Sequence, residues 1–324
     1  MNILFISSGF LGIYPIFEDT IENAFKTMNH SIAKIPPMYT EETVELIESL
    51  DPDFVFAFVG YKVDYKLIQI LKQRGTTLGV WLTEDPYYID QSVNLIEQYD
   101  YIFTIDIGAC EYYNIRFPNK KIYHLPLGTD PTLYYPANIP NHYLYDLCLI
   151  GYPYTNRIEL IKHILDQTSY SLLLVGPNWS KFINYKNNHQ LKIINKWIKP
   201  EFVRQIFSLS KIILNPHRSY NFHKNQNTLG IESKSINNRT FDIAACGGFQ
   251  LIENKLDLTL HFDTSREIVP YNNFDECVHL INQFVMDENS RNFYSQNARE
   301  RILTDHTFTH RIELLLKQIN GNEK

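Results

Sequence analysis

The sequence predicts an α/β protein of two Rossmann-like halves, and three observations carry that prediction. Short apolar runs alternate with amphipathic helical stretches along the 324 residues, the rhythm of β-α-β units. Many of the apolar runs end in glycine or in a polar cluster, as strands do where they feed a ligand-facing loop. Between the two series lies a breaker-rich stretch reaching to Pro136 and Pro140, which reads as a linker and divides the chain into domains over residues 1–138 and 139–324.

The first half opens with a strand from Asn2, and Gly9 and Gly12 in the loop behind it let the backbone approach a ligand closely. That loop lacks the full GxGxxG pattern and any Walker lysine, so only its position recommends it as a binding loop. A helix over Phe17 to Met28 follows, then a helix over Glu41 to Leu50 and the strand Phe54 to Val59. Asp51 and Asp53 superficially spell a DxD metal motif, but they precede their strand, at the end of the sheet away from a ligand crevice, and read as turn residues. After a helix over Tyr65 to Arg74, the strand Leu78 to Leu82 delivers Glu84 and Asp85 to the opposite, ligand-facing end. There they bind acceptor hydroxyls, act as a base, or serve as turn and cap residues. Strands over Tyr101 to Ile105 and Lys121 to Leu125 complete the half.

The second half restarts with the strand Asp146 to Ile150, the loop from Gly151, and Arg157 at the junction with the next helix. A guanidinium there can pair with a diphosphate through its fork of donors, or it is a surface arginine. Strands over Ser171 to Val175 and Leu191 to Asn195 and a helix over Pro200 to Ser208 lead to the strand Lys211 to Leu214, which ends in Asn215-Pro216-His217-Arg218. Arg218 adds positive charge, and His217 either donates to a sugar oxygen or is a structural histidine. Helices are expected over Phe274 to Met286 and Arg291 to Ile319. His306 and His310, one turn apart in the latter, lack an HExxH glutamate and read as packing or surface residues.

Residues Asn237 to Glu253 organise the whole chain: a polar entry at Asn237-Asn238-Arg239, a small-residue helical turn, the stop Gly247-Gly248, and a buried strand. The helix entry faces the ligand side, where Arg239 attracts phosphate and Asp242, one turn in, suits the paired hydroxyls of a ribose or sugar. The competing assignment makes Asp242 a balance for the helix dipole and Arg239 a solvated charge.

Composition excludes several classes. A formal net charge of −6 argues against a general nucleic-acid binder. The cysteines Cys110, Cys148, Cys246 and Cys277 form no CxxC pair, so neither a zinc site nor a disulfide framework is indicated, and a reducing cytoplasm fits. No signal-type or membrane-spanning apolar run is read in the sequence.

Two Rossmann-like halves with basic and hydroxyl-binding groups at their ligand ends suggest a two-domain glycosyltransferase of GT-B type. The resemblance becomes specific at Asp146 to Gly151 with Arg157, at Leu214 to Arg218, and at Asn238 to Phe249, with a WxTEDP-like segment from Trp81 to Pro86. Together these segments resemble the CgeB family, named for a spore maturation protein and similar to family 1/4 type glycosyltransferases. The resemblance implies two domains facing a central cleft, with the C-terminal helix packing back on the N-terminal domain. It also implies Arg157 on the donor diphosphate, Asp242 as the second acid of an EX7E-like motif on the nucleotide ribose, and Lys234 where the first acid would fall.

The implied reaction is metal-independent and retaining, from a nucleoside-diphosphate sugar, with UDP favoured, to a glycan or glycoprotein. Arg157, Arg218 and His217 are the candidate catalytic residues. Gly151, Arg157, Asn238, Arg239 and Asp242, with Gly9 and Gly12, are the candidate donor contacts, and no metal or separate cofactor is expected. A nucleotide-sugar epimerase or hydrolase, and an inactive sugar-binding coat component, are the alternatives.

Overall fold

The computed structural model describes residues 1–138, 143–184 and 188–321. Residue 139 and Pro140, at the expected domain junction, lie outside the described residues. The chain forms two compact units, neither continuous in sequence. Unit 1 comprises Met1–Gly128, His223–Ser235 and Phe308–Lys324; unit 2 comprises Thr129–Phe222 and Ile236–Thr307.

Unit 1 is built on the strands β1 (Asn2–Ile6), β2 (Ser31–Ile35), β3 (Phe54–Phe58), β4 (Thr77–Leu82), β5 (Tyr101–Thr104) and β6 (Lys121–His124). They run parallel in the order β2-β1-β3-β4-β5-β6. The two-residue period of a strand sorts the side chains between two cores. Ile3, Phe5, Phe54, Phe56 and Phe58 face one way, and Leu4, Ile6, Val55 and Ala57 the other. Because both faces are covered, β3 reads Phe-Val-Phe-Ala-Phe with every residue buried. The first core takes in the helices Tyr14–Thr27 and Phe308–Asn320, and the second takes in residues of Tyr65–Gln73 and Ile107–Arg116.

Unit 2 repeats the plan with β7 (Tyr145–Ile150), β8 (Leu172–Val175), β9 (Leu191–Ile194), β10 (Ser210–Asn215), β11 (Gln250–Glu253) and β12 (Val269–Tyr271). The parallel order β9-β8-β7-β10-β11-β12 is that of a doubly wound Rossmann sheet, with its direction of winding reversed between β7 and β10. Cys148, Ile150, Leu173, Val175 and Ile213 point to one core, Leu147, Leu149, Leu172, Leu174 and Ile212 to the other.

The structure adds one strand that the sequence did not announce and corrects one expectation. The edge strand β2 carries no apolar run, since four of its five residues are exposed or half-buried. The expected single helix over Arg291 to Ile319 is two helices, Glu288–Asp305 in unit 2 and Phe308–Asn320 in unit 1. Tertiary contacts break it: the His306 carbonyl accepts from the Thr129 amide at 3.1 Å, Thr307 bridges to Thr129, and His306 Nε2 donates to the His261 carbonyl at 3.0 Å. His306 and His310 therefore do not share a helix face.

Candidate functional site

The reversal of strand order between β7 and β10 leaves a crevice beyond their carboxyl ends, and several of the expected residues meet there. Gly151, directly after β7, has φ +152°; a Cβ at this position would stand 2.6 Å from Arg157 Nη1 and 3.3 Å from Arg239 Nη2. Two guanidinium groups thus close on a residue that must lack a side chain. Buried Trp179 fixes the Gly151 backbone by donating to its carbonyl at 2.7 Å. Arg157 is itself buried, donating through Nε and Nη2 to the Pro216 carbonyl (3.1 and 2.8 Å) and through Nη1 to that of Tyr152 (3.2 Å). The Tyr154 ring lies 5.0 Å from the Arg157 guanidinium and 5.1 Å from that of Arg218. One aromatic ring therefore gathers two cations.

His217 is buried and both its ring nitrogens are engaged. Nδ1 receives the Asn237 amide at 2.9 Å, so Nε2 carries the proton and donates to the Glu253 carbonyl at 2.9 Å. Burial, with Lys255 and then Arg157 and Arg239 nearby, holds its pKa well below the ordinary value and keeps it neutral. Asn237 also donates to Asn215 Oδ1 at 3.0 Å, which ties the end of β10 to the entry of the helix Arg239–Ala245.

Asp242 lies in the first turn of that helix and is buried. Thr129 Oγ1 donates to its Oδ1 at 2.7 Å and Asn238 Nδ2 to its Oδ2 at 3.2 Å. Burial raises its pKa to about 7, against the lowering by Thr129 and Arg239. The side-chain oxygens of Asn237 and Asn238 are buried without a hydrogen-bond partner. Tyr154, Thr129 and Glu253 were not legible as site residues. A tyrosine three residues before an arginine at a helix start is the one signal that pointed to any of them.

The remaining candidates belong to unit 1. A Cβ on Gly9 would meet Pro37 Cγ at 2.9 Å and Lys62 Cδ at 3.3 Å, and Lys62 Nζ donates to the Gly9 carbonyl at 2.8 Å. Gly12 faces open space. Asp85 turns into the core, accepting from Ser92 (2.6 Å), Thr104 (2.7 Å) and Tyr113 (3.0 Å), with burial raising its pKa to about 7. Glu84 stays partly exposed and accepts from the Tyr14 hydroxyl. Lys234 pairs with Glu111 at 2.6 Å, in a segment whose Ser233 hydroxyl and Lys234 and Ser235 amides all donate to Asp106. Among the described residues, no group of three His, Cys, Asp or Glu side chains is placed to hold a metal ion. Nor is any described helix long and apolar enough to cross a membrane.

Two parallel six-stranded Rossmann-like sheets, the second with arginines gathered at its switch point, give the chain the architecture of the GT-B fold. A family profile described as "Glycosyl transferase-like" matches residues 157–317. The spore protein CgeB of Bacillus subtilis (strain 168) is 35% identical over 255 residues, 78% of this chain and 80% of that protein, and this chain belongs to the CgeB family. Sucrose-phosphate synthase from Thermosynechococcus elongatus superposes with a TM-score of 0.69 at 12% identity, covering 98% of this chain and 99% of that one. HepE from Anabaena, in complex with UDP and glucose, superposes with a TM-score of 0.65 at 10% identity, covering 99% of this chain and 100% of that one.

Proposed function

We propose that this chain transfers a sugar from a nucleoside-diphosphate donor, preferentially a UDP-sugar, to a hydroxyl of a glycan or glycoprotein, without a metal and with retention at the anomeric carbon. The observation that carries this reading is the convergence of Arg157 and Arg239 on Gly151 at the switch point of unit 2. The recess is cationic, and its backbone is bare enough for a diphosphate to lie against it. Asp242 receives the ribose hydroxyls, and Arg218, stacked on Tyr154 with Arg157, extends the positive field. HepE, whose structure holds UDP and glucose, supports the choice of UDP.

In the reaction the bond from the anomeric carbon to the phosphate oxygen breaks and a bond to the acceptor oxygen forms on the same face. The acceptor's proton passes to the departing phosphate. The guanidinium groups stabilise the charge that builds on the diphosphate, the term that preorganised donors lower most effectively. His217 supports this site by fixing the end of β10 rather than by moving a proton, since both its nitrogens are engaged. The reaction belongs to the cytoplasm, and likeness to a spore protein supports a role in the outer layers of a spore.

Calorimetric titration with UDP, GDP, CDP and ADP in chelator tests the donor site. Selective binding of UDP is expected; equal affinity for all four, or no binding, contradicts it. Retention is read from the anomeric coupling of the product by NMR.

A further inference from the structure

We infer that unit 2 carries a second ligand site, in a cavity at the amino ends of β10 and β11, where Arg291 takes the carboxylate of a small apolar acid. Ser210 and Lys211, which open β10, and Phe249, just before β11, line this cavity of about 420 Å³. The crevice holding Arg157 and Arg239 lies beyond the carboxyl ends of the same sheet, so the two sites are at opposite ends of unit 2. The inference does not depend on the transferase reading.

Arg291 stands in the first turn of the helix Glu288–Asp305, lines the cavity and is 3% exposed. Its Nη1 donates to the carbonyls of Phe284 (2.6 Å) and Val285 (2.9 Å), closing the end of the helix Phe274–Phe284. That structural task uses one nitrogen of three. Nε is buried without a hydrogen-bond partner, and Nη2 has none among the described residues. Nε and Nη2 form the edge on which a guanidinium takes a carboxylate through two parallel hydrogen bonds. The neighbouring charges do not fill it. Asp287 accepts from the amide (3.0 Å) and hydroxyl (2.6 Å) of Ser290, and Lys211 pairs with Asp146 at 2.7 Å. Among the described residues no ion pair reaches Arg291. A buried charged edge left without acceptors is costly, so an entering carboxylate relieves that cost as it binds.

The rest of the lining sets the class of acid. Phe207 and Phe249 are buried aromatic walls, and the Tyr143 ring lies 5.4 Å from the Arg291 guanidinium. These surfaces suit an apolar body behind the carboxylate. Exposed Glu288, also in the lining, repels a second negative charge and so disfavours phosphate and dicarboxylates.

The test is saturation-transfer NMR on the full chain with benzoate as the probe, and with neutral benzamide and inorganic phosphate for comparison. The wild type should bind benzoate, should bind benzamide about tenfold more weakly, and should not release benzoate to phosphate. Arg291→Lys keeps the charge but loses the paired edge, and should weaken benzoate about tenfold while still unfolding cooperatively. Absence of benzoate binding, equal binding of benzamide, or unchanged affinity in a folded Arg291→Lys overturns the site. Displacement of benzoate by phosphate overturns its selectivity for a carboxylate. Loss of the benzoate signal on adding UDP would assign it to the opposite crevice and likewise overturn the site. If Arg291→Lys fails to fold, the wild-type comparison of benzoate with benzamide decides.

Discussion

Glu84 and Asp85 show how much one residue of register decides. Both are acidic, both follow β4, and composition gives no reason to separate them; the backbone turns one inward to three hydroxyl groups and leaves the other partly exposed. Asp85 carries a pH signature. Its folded pKa of about 7 lies above the ordinary carboxylate value, so the folded state holds that proton more tightly than the unfolded chain. The resulting stability is full in acid and is lost as pH rises through the folded value. Buried neutral His217 works in the opposite sense, so the effect is isolated by comparing variants. The thermal midpoint of Asp85→Asn relative to wild type should rise between about pH 5.5 and about pH 8. A difference that is flat with pH would contradict the burial of this acid. Asp242 calls for a binding test: Asp242→Asn should weaken UDP binding about tenfold by replacing a carboxylate acceptor with an amide. Unchanged affinity measured by calorimetry would remove Asp242 from the ribose.

Elements were legible in the sequence where both faces of a strand are buried, because β3 and β7 then read as apolar runs. The Gly151 and Arg157 pairing was legible for a related reason, since a glycine after a strand and an arginine at the next helix start are local signals. Edge strand β2, with exposed and half-buried positions, left no such run. The break at His306 was invisible too, because its cause is Thr129, distant in sequence. The helix after the break rests on Phe308, buried with its ring 5.5 Å from Phe17 and 6.4 Å from Trp81. Phe308→Ala should cost about 3–5 kcal/mol in denaturant unfolding through the cavity it leaves. A loss below about 1 kcal/mol would contradict this packing.

At the scale of the whole molecule, the chain returns twice to unit 1, through His223–Ser235 and Phe308–Lys324; the family resemblance implies the second return, and the first has no sequence signature. The last return supplies Phe308, Ile312, Leu315, Leu316 and Ile319 to the core of unit 1. A chain ending at Thr307 should therefore yield a poorly folded unit 1, seen as lost cooperative unfolding and dye binding. A cooperative transition in the truncated chain would contradict that dependence.

The central claim is that the diphosphate sits where Arg157 and Arg239 converge on Gly151. The most direct measurement is the calorimetric affinity for UDP, in chelator, of wild type, Arg239→Ala and Gly151→Ala. The account predicts measurable binding by the wild type and losses of at least about tenfold in both variants, since one substitution removes a charge-assisted contact and the other fills the recess. Equal affinity in all three proteins would contradict it.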